Sequence, residues 1–160
     1  MKNIDWSNLP FGYMRTDYNV RCYYRNGEWG ALELCSEETI NLHMAATCLH
    51  YGQEGFEGLK AYRGKDRKIR IFRPEANAER LQSTCRGILM PELPTELFVN
   101  AVKKVVKANE RFIPPYESGA ALYIRPLLIG TSAQVGVHPA SEYLFVIFVT
   151  PVGPYFKGGF

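Results

Sequence analysis

The sequence predicts an α+β domain with a mainly antiparallel sheet and helices packed on one face. Two observations carry this prediction: strand-like segments lie toward both ends of the chain with helix-like segments between them, and short Gly-containing turns join neighbouring strands. A chain of 160 residues is one ordinary domain, and its folding buries roughly 70% of the surface exposed in the unfolded form. We therefore expect a substantial core between the sheet and the helices.

One irregular segment and three helices are predicted. Residues 1–18 are polar and aromatic with Pro and Gly, which indicates an irregular arm. Residues 43–53 are rich in helix formers and predict a short helix. Pro74 suits the first position of a helix because its φ is fixed, and Gly87 marks the end of that helix. Residues 95–109 place apolar side chains on one face and lysines on the other, which is typical of an amphipathic helix.

The predicted strands are short, apolar or alternating segments. Residues 20–25 precede an Asn-Gly pair, which accepts the positive φ of a tight hairpin turn. Residues 56–63 alternate like a strand and are expected to pair with residues 69–72 across a polar turn. Residues 120–129 and 142–150 are apolar, β-branched and aromatic, so both are predicted to be strands.

The bulk composition argues against several classes of function. The net charge is only +3, and the one basic cluster, at 65–73, alternates with isoleucines like the solvated face of a strand, which we favour over nucleic-acid binding. The four cysteines form no C-x-x-C pair and have no histidines at zinc-site spacing. No segment has the length and polarity of a signal peptide or a membrane span. We expect a reduced, cytoplasmic protein with no metal and no nucleic-acid or membrane partner.

Tyr123 and Arg125 form the most suggestive chemical pattern. Because they lie two residues apart in a predicted strand, both side chains emerge on one face and can bind one carboxylate together. Pro126 has no N–H for a ladder, which predicts that the strand lies at an edge or ends there. The alternative is an arginine paired with a surface glutamate beside a half-buried tyrosine, and spacing alone favours that alternative.

Other candidate residues are weaker in isolation. Gly58 weakens a strand unless something approaches its backbone, and a ligand, a bulge or a crossing side chain would each explain it. Arg80 lies beside the apolar stripe of the helix predicted from Pro74, where it could bind a phosphate or could simply be solvated. The sequence contains no phosphate-binding loop and no nucleophile signature. Spacing alone therefore indicates an α+β domain with one candidate anion-binding strand.

Five stretches, taken in order along nearly the whole chain, resemble the branched-chain aminotransferases of fold type IV. They are L-H-Y at 49–51, F-E-G-L-K-A-Y-R-G at 56–64, I-R-I-F-R-P at 69–74, L-Y-I-R-P at 122–126 and P-V-G-P-Y-F at 151–156. The resemblance implies that residues 1–160 are the small N-terminal domain of such an enzyme. It also implies amino transfer between leucine, isoleucine or valine and 2-oxoglutarate, with pyridoxal 5′-phosphate as cofactor.

The same resemblance assigns roles to individual residues. Arg80 resembles the arginine that binds the cofactor phosphate, and Tyr123 and Arg125 resemble the pair that binds a substrate carboxylate. Val137 lies where the family has a loop that reaches into the partner subunit's pocket, which implies a homodimer. The wall of the substrate pocket is assigned to Phe11, Tyr51, Phe56, Gly58 and Tyr155.

The catalytic lysine is where the chain departs from the family. In the family the Schiff-base lysine, and the glutamate that pairs with the pyridine nitrogen of the cofactor, lie in a second, larger domain whose position falls beyond Phe160. Lys60 is inside a matching stretch but not at the position of that lysine. We therefore expect that the 160-residue chain by itself has no catalytic residue, does not bind pyridoxal phosphate covalently and does not transaminate.

Two alternative functions stay open at this point. D-amino-acid transaminases, amine transaminases and aminodeoxychorismate lyases share the fold and the cofactor, although the L-Y-I-R-P stretch favours the branched-chain group. The second alternative is a non-enzymatic α+β binding module. The sequence does not distinguish the preferred branched-chain substrate or the direction of the reaction in the cell.

Overall fold

The computed structural model describes residues 4–153, and it confirms the α+β fold with an antiparallel sheet. The strands are β1 (Asn19–Arg25), β2 (Glu28–Trp29), β3 (Glu33–Cys35), β4 (Glu54–Phe56), β5 (Leu59–Arg63), β6 (Ile69–Ile71), β7 (Ala121–Gly130) and β8 (Tyr143–Val152). The helices are α1 (Thr47–Tyr51), α2 (Pro74–Gly87) and α3 (Thr95–Ala108), with 3-10 turns at Glu110–Phe112 and Tyr116–Ser118.

The strands form one sheet in the order β2-β1-β8-β7-β5-β6, and β3 and β4 pair with β1 and β7 off this path. Every pairing in the described part of the chain is antiparallel. The centre of the sheet is the long ladder between β7 and β8, which runs from Ala121 opposite Val152 to Gly130 opposite Tyr143. These two strands therefore set the position of most of the remaining elements.

Alternation along β7 and β8 gives the sheet two different faces. One side of each strand is fully buried under α2 and α3, and we call this the helix-covered face. Its largest buried side chains include Leu122, Ile124, Leu128, Phe145 and Ile147 from the two strands, and Leu81, Phe98, Val102 and Val105 from the helices. The other side, called the open face, carries Tyr123, Arg125, Phe148 and Thr150 together with a smaller buried cluster of Ile129, Leu144 and Val146.

The N-terminal arm packs on the open face, and it is irregular as predicted. The Thr150 hydroxyl accepts a hydrogen bond from the Met14 backbone N–H at 2.8 Å and donates one to the Gly12 carbonyl at 3.2 Å. Further along the arm, the buried Asn109 side chain accepts hydrogen bonds from the N–H groups of Asp17 and Tyr18. Polar contacts from β8 and from the end of α3 therefore hold the arm against the sheet.

Three details differ from the sequence-based expectations. The strand predicted over 56–63 is divided into β4 and β5, and the short β3 was not predicted. The expectation that Pro126 marks an edge or a strand end is wrong, because β7 is central and continues to Gly130. Pro126 is tolerated there because its carbonyl, which accepts from the Glu57 N–H at 2.9 Å, faces the break between β4 and β5. In an antiparallel strand, the backbone N and C=O of one residue point to the same side, so the Pro126 nitrogen also faces the break. No carbonyl of a paired strand lies there to need an N–H donor, and the missing hydrogen costs nothing.

Candidate functional site

Tyr123 and Arg125 lie side by side on the open face, as their spacing predicts. The Arg125 Nε–H donates to the Tyr123 hydroxyl at 3.2 Å, and both residues are partly buried. The Arg125 guanidinium carbon lies 4.5 Å from the centre of the Phe56 ring and 5.2 Å from that of Tyr123. Two aromatic faces therefore hold the guanidinium in place by cation–π attraction.

The outer donors of Arg125 are available to a ligand. Within residues 4–153 its terminal Nη nitrogens make no hydrogen bond, and no carboxylate pairs with them. The alternative of an arginine paired with a surface glutamate is therefore wrong. A planar fork of unused N–H groups beside a phenol is suited to a carboxylate, which can accept two parallel hydrogen bonds.

Phe11 closes one side of this site. Its ring packs edge-on against Tyr123, with 5.3 Å between the ring centres and 67° between the planes. A cavity of about 210 Å³ opens between the arm and strands β7 and β8. It is lined by Phe11, Gly12, Tyr13, Tyr123, Arg125, Phe148, Thr150 and Val152. The lining is mainly apolar with one cationic group, which is the arrangement that accepts a small aliphatic acid.

Gly58 is explained by the side chain that crosses it. A methyl group at this position would overlap the Tyr123 hydroxyl. The crossing side chain is therefore the correct one of the three explanations for this glycine. Gly58 lies between β4 and β5 rather than inside a strand, and its contribution to the site is the space that Tyr123 occupies.

Arg80 lies on α2 and is anchored to a buried carboxylate. Its Nε–H and Nη2–H donate to the two carboxylate oxygens of Glu57 at 2.9 and 2.5 Å. The Glu57 side chain is only 3% exposed whereas that of Arg80 is 67% exposed. The hydrogen bond and the charge of Glu57 raise the pKa of Arg80, which keeps the guanidinium charged. An exposed, oriented guanidinium is a suitable group for a phosphate.

Tyr51 and Val137 belong to a different surface. The Tyr51 hydroxyl, at the end of α1, donates to the Val135 carbonyl in the 131–141 loop. Val135 and Val137 are 86% and 85% exposed, and neither Tyr51 nor Val137 lines the cavity beside Tyr123. Of the remaining predicted pocket residues, Phe56 reaches the site through its contact with Arg125, and Tyr155 lies outside the described residues.

Two residues of the site were not found from the sequence. Thr150 fixes the arm beside the cavity, and Glu57 anchors Arg80. Glu57 had one signal, since it is an acidic residue between Phe56 and Gly58 in a segment that should otherwise be half-buried. Nothing in the sequence singles out Thr150, because a threonine at the end of an apolar strand is common.

The described residues contain no cluster suited to a metal ion, and the Cys85 thiol is poorly suited to nucleophilic chemistry. No group of three or more His, Cys, Asp or Glu side chains in residues 4–153 is placed to hold a metal ion. Burial raises the pKa of the Cys85 thiol to about 11, which suppresses the reactive thiolate. No helix in the same part of the chain is long and apolar enough to cross a membrane.

Comparison with known proteins confirms the resemblance seen in the sequence. The chain is 54% identical over 159 residues to a branched-chain-amino-acid aminotransferase of Haemophilus influenzae, and 51% identical to one of Helicobacter pylori. These matches cover 99% of the chain but only 46% and 47% of the relatives. The chain thus spans about half the length of the curated relatives it matches. No protein-family model matches it.

Solved structures confirm the fold. The branched-chain amino acid aminotransferase of Escherichia coli matches 89% of the chain with a TM-score of 0.69 at 24% identity, and the match covers 42% of that structure. The branched-chain aminotransferase of Thermoproteus uzoniensis, solved with norvaline, matches 86% of the chain with a TM-score of 0.66 at 26% identity, over 43% of its length. The same antiparallel α+β architecture is therefore present in enzymes about twice as long.

Proposed function

We propose that this chain is the substrate-binding half of a pyridoxal-phosphate-dependent branched-chain aminotransferase. The reaction is amino transfer between leucine, isoleucine or valine and 2-oxoglutarate, carried out by the full-length protein. The observation that carries the proposal is the Tyr123–Arg125 pair, which opens into an apolar cavity beside Phe11. The 54% identity to a relative of this name over 99% of the chain supports it independently.

In this proposal the open face binds one carboxylate of the substrate. Arg125 offers its two Nη groups as a fork, and the Tyr123 hydroxyl, which accepts from Arg125, donates its own hydrogen. The rings of Phe11, Tyr123 and Phe148 supply apolar surface for an aliphatic side chain. Each buried CH₂ contributes about 0.8 kcal/mol, so a branched side chain gains more from this cavity than alanine does.

The cofactor phosphate would bind at Arg80. Pyridoxal phosphate, when bound, supplies the electron sink and carries the amino group between the two substrates. The residues present fit its phosphate, because the Arg80 guanidinium is charged, exposed and held by Glu57 on one edge only. Covalent attachment is assigned to a lysine of the part of the enzyme beyond these 160 residues.

We further propose that the full-length protein is a cytoplasmic homodimer. The support is an exposed apolar surface formed by residues 44–51, which include α1, and by the 131–141 loop, with Met44, Leu49, Val135 and Val137 among its residues. Exposed apolar groups of this kind are a common feature of subunit contacts. Sedimentation equilibrium of the full-length protein tests the dimer, and a Val137→Asp variant should shift it toward the monomer.

Rates with matched substrates test the proposed activity. Steady-state transamination by the full-length protein should be much faster with L-leucine than with D-alanine or a simple primary amine, each paired with an oxo acid. A higher rate with the D-amino acid or the amine would instead assign the chain to another enzyme of the same fold and cofactor.

The isolated 160-residue chain provides the complementary test. After incubation with pyridoxal phosphate and borohydride, it should show no stoichiometric label on a single lysine, and it should not transaminate. Stoichiometric labelling of one lysine, with Lys60 the obvious candidate to map by mass spectrometry, would contradict the proposed division of roles.

A further inference from the structure

We infer that Glu57 is a positioning residue whose buried carboxylate orients the Arg80 guanidinium toward the cofactor phosphate, with Asn77 holding that carboxylate in place. The inference rests on the proposed phosphate-binding role of Arg80. It concerns a buried charged side chain to which neither the sequence patterns nor the relatives assign a task.

The Glu57 side chain contacts α2, and its backbone contacts the central strand β7. Its carboxylate accepts from Arg80 Nε and Nη2, and also from the Asn77 side-chain amide at 2.9 Å. Asn77 and Arg80 are one turn apart on α2 and therefore face the same side of the helix. The Glu57 backbone N–H donates to the Pro126 carbonyl at 2.9 Å, which fixes Glu57 to the central strand β7.

The contacts leave one edge of the arginine unused. A guanidinium has five N–H donors, and the bidentate contact with Glu57 occupies two of them, one on Nε and one on Nη2. The remaining three point away from the carboxylate, and no other hydrogen bond of Arg80 is found within residues 4–153. Because a guanidinium is planar and rigid, fixing one edge also fixes the direction of the opposite edge.

Stability alone is a poor explanation for this pair. Burying the Glu57 carboxylate costs desolvation energy, and its partner Arg80 is largely exposed, so the ion pair itself contributes little net stability. The negative charge of Glu57 also opposes the binding of an anion by Arg80. Its benefit for a phosphate site is therefore orientation, since donors fixed in advance lose little freedom when the anion binds.

The position of Glu57 links the two candidate binding groups. It occupies the break between β4 and β5, next to Gly58, which accommodates the Tyr123 hydroxyl. Glu57 therefore holds the proposed phosphate-binding Arg80, and the next residue, Gly58, leaves space for the proposed carboxylate-binding Tyr123. A fixed separation between these two groups is what a site for a cofactor and its substrate requires.

The test compares two ligands that differ only in the phosphate. Pyridoxamine 5′-phosphate and pyridoxamine are titrated into the cofactor-free full-length protein, with intrinsic fluorescence as the readout, so that no activity is needed. Glu57→Gln should weaken the phosphorylated ligand about tenfold and change the affinity for pyridoxamine less than about twofold. Asn77→Ala, which leaves the charge of Glu57 unchanged, should give a smaller loss of about threefold for the phosphorylated ligand only.

Glu79→Gln is the matched control. Glu79 precedes Arg80 on α2, is exposed, and makes no contact with Arg80 in the structure, so its loss changes the charge without changing the orientation. It should leave both affinities unchanged or slightly raise that for the phosphate. A Glu57→Gln effect that disappears in an Arg80→Lys background would show that Glu57 acts through the arginine.

Three results would overturn the inference, and they identify different errors. If Glu57→Gln leaves the affinity for pyridoxamine 5′-phosphate unchanged, Glu57 does not position the arginine. If both ligands weaken equally, Glu57 has only a structural role. If Arg80→Lys and Arg80→Met leave the phosphate preference of the protein intact, the proposed role of Arg80 itself fails.

Discussion

The helix-covered face and the open face of the sheet are built from the same two strands but have different chemistry. On the helix-covered side, β7 and β8 present aliphatic and aromatic groups that are completely buried, such as Ile124, Phe145 and Ile147. On the open side, Ile129, Leu144 and Val146 form a smaller buried cluster, whereas Tyr123, Arg125 and Phe148 are only partly buried and Arg125 keeps unused hydrogen-bond donors. Around Tyr123 and Arg125, one residue of shift along β7 thus separates positions that stabilise the fold from positions that can bind a ligand.

Replacing one phenylalanine on each face of β8 should give the largest difference in stability between the two faces. Phe145 is fully buried and packs against Phe98 with ring centres 5.9 Å apart, so Phe145→Ala should destabilise the protein by about 3–5 kcal/mol. Phe148→Ala, on the open face, should lower the free energy of unfolding by less than half as much as Phe145→Ala. Urea unfolding of the two variants measures the difference, and equal losses would show that the open face is also core.

Adding a methyl group to Gly58 should perturb the open face specifically. Because its Cβ would overlap the Tyr123 hydroxyl, Gly58→Ala should destabilise the protein by about 1–3 kcal/mol. Tyr123→Phe removes the overlapping oxygen, so the double variant should recover most of that loss. Thermal unfolding of both single variants and the double variant gives the coupling, and simple additivity would contradict the close approach.

Replacing Arg125 by lysine should separate binding from stability. Lysine keeps the charge but loses the planar fork and the stacking on Phe56. We expect KM for 2-oxoglutarate in the full-length enzyme to rise about tenfold, equivalent to about 1.4 kcal/mol, with little change in the unfolding midpoint. Unchanged KM values would remove Arg125 from the site.

The smallest expected effect is a pH dependence of the arm. Partial desolvation of the phenol and the hydrogen bond to Glu38 raise the pKa of Tyr13, a largely exposed residue, to about 12, above its ordinary value of 10. Between these values the unfolded chain has lost a proton that the folded chain keeps, so stability falls as pH rises from about 10 to about 12. Tyr13→Phe should abolish this fall in the free energy of unfolding between about pH 10 and pH 12, measured by denaturant unfolding at a series of pH values. An identical slope in the variant would exclude the contact.

The sequence predicts local features of this fold better than long-range ones. The limits of α2 match the prediction because Pro74 and the apolar stripe are local signals. The central position of Pro126 could not be inferred, since it depends on a break in a strand about 70 residues earlier in the chain. Helix position alone leaves Arg80 open between phosphate binding and solvation, and only the family resemblance favours the phosphate; its partner Glu57, 23 residues away, is not singled out by the sequence. Sequence spacing alone brings Tyr123 and Arg125 together, whereas Phe11 joins them in the sequence only through the family resemblance, and the structure shows its contact with Tyr123.

The most direct test of the central claim is a structure of the full-length enzyme with glutarate, an unreactive analogue of 2-oxoglutarate. The account predicts a carboxylate oxygen about 3 Å from the Arg125 guanidinium or the Tyr123 hydroxyl, with the aliphatic chain toward the cavity beside Phe11. Glutarate bound with both carboxylates away from Tyr123 and Arg125 would contradict the assignment of the open face as the substrate site.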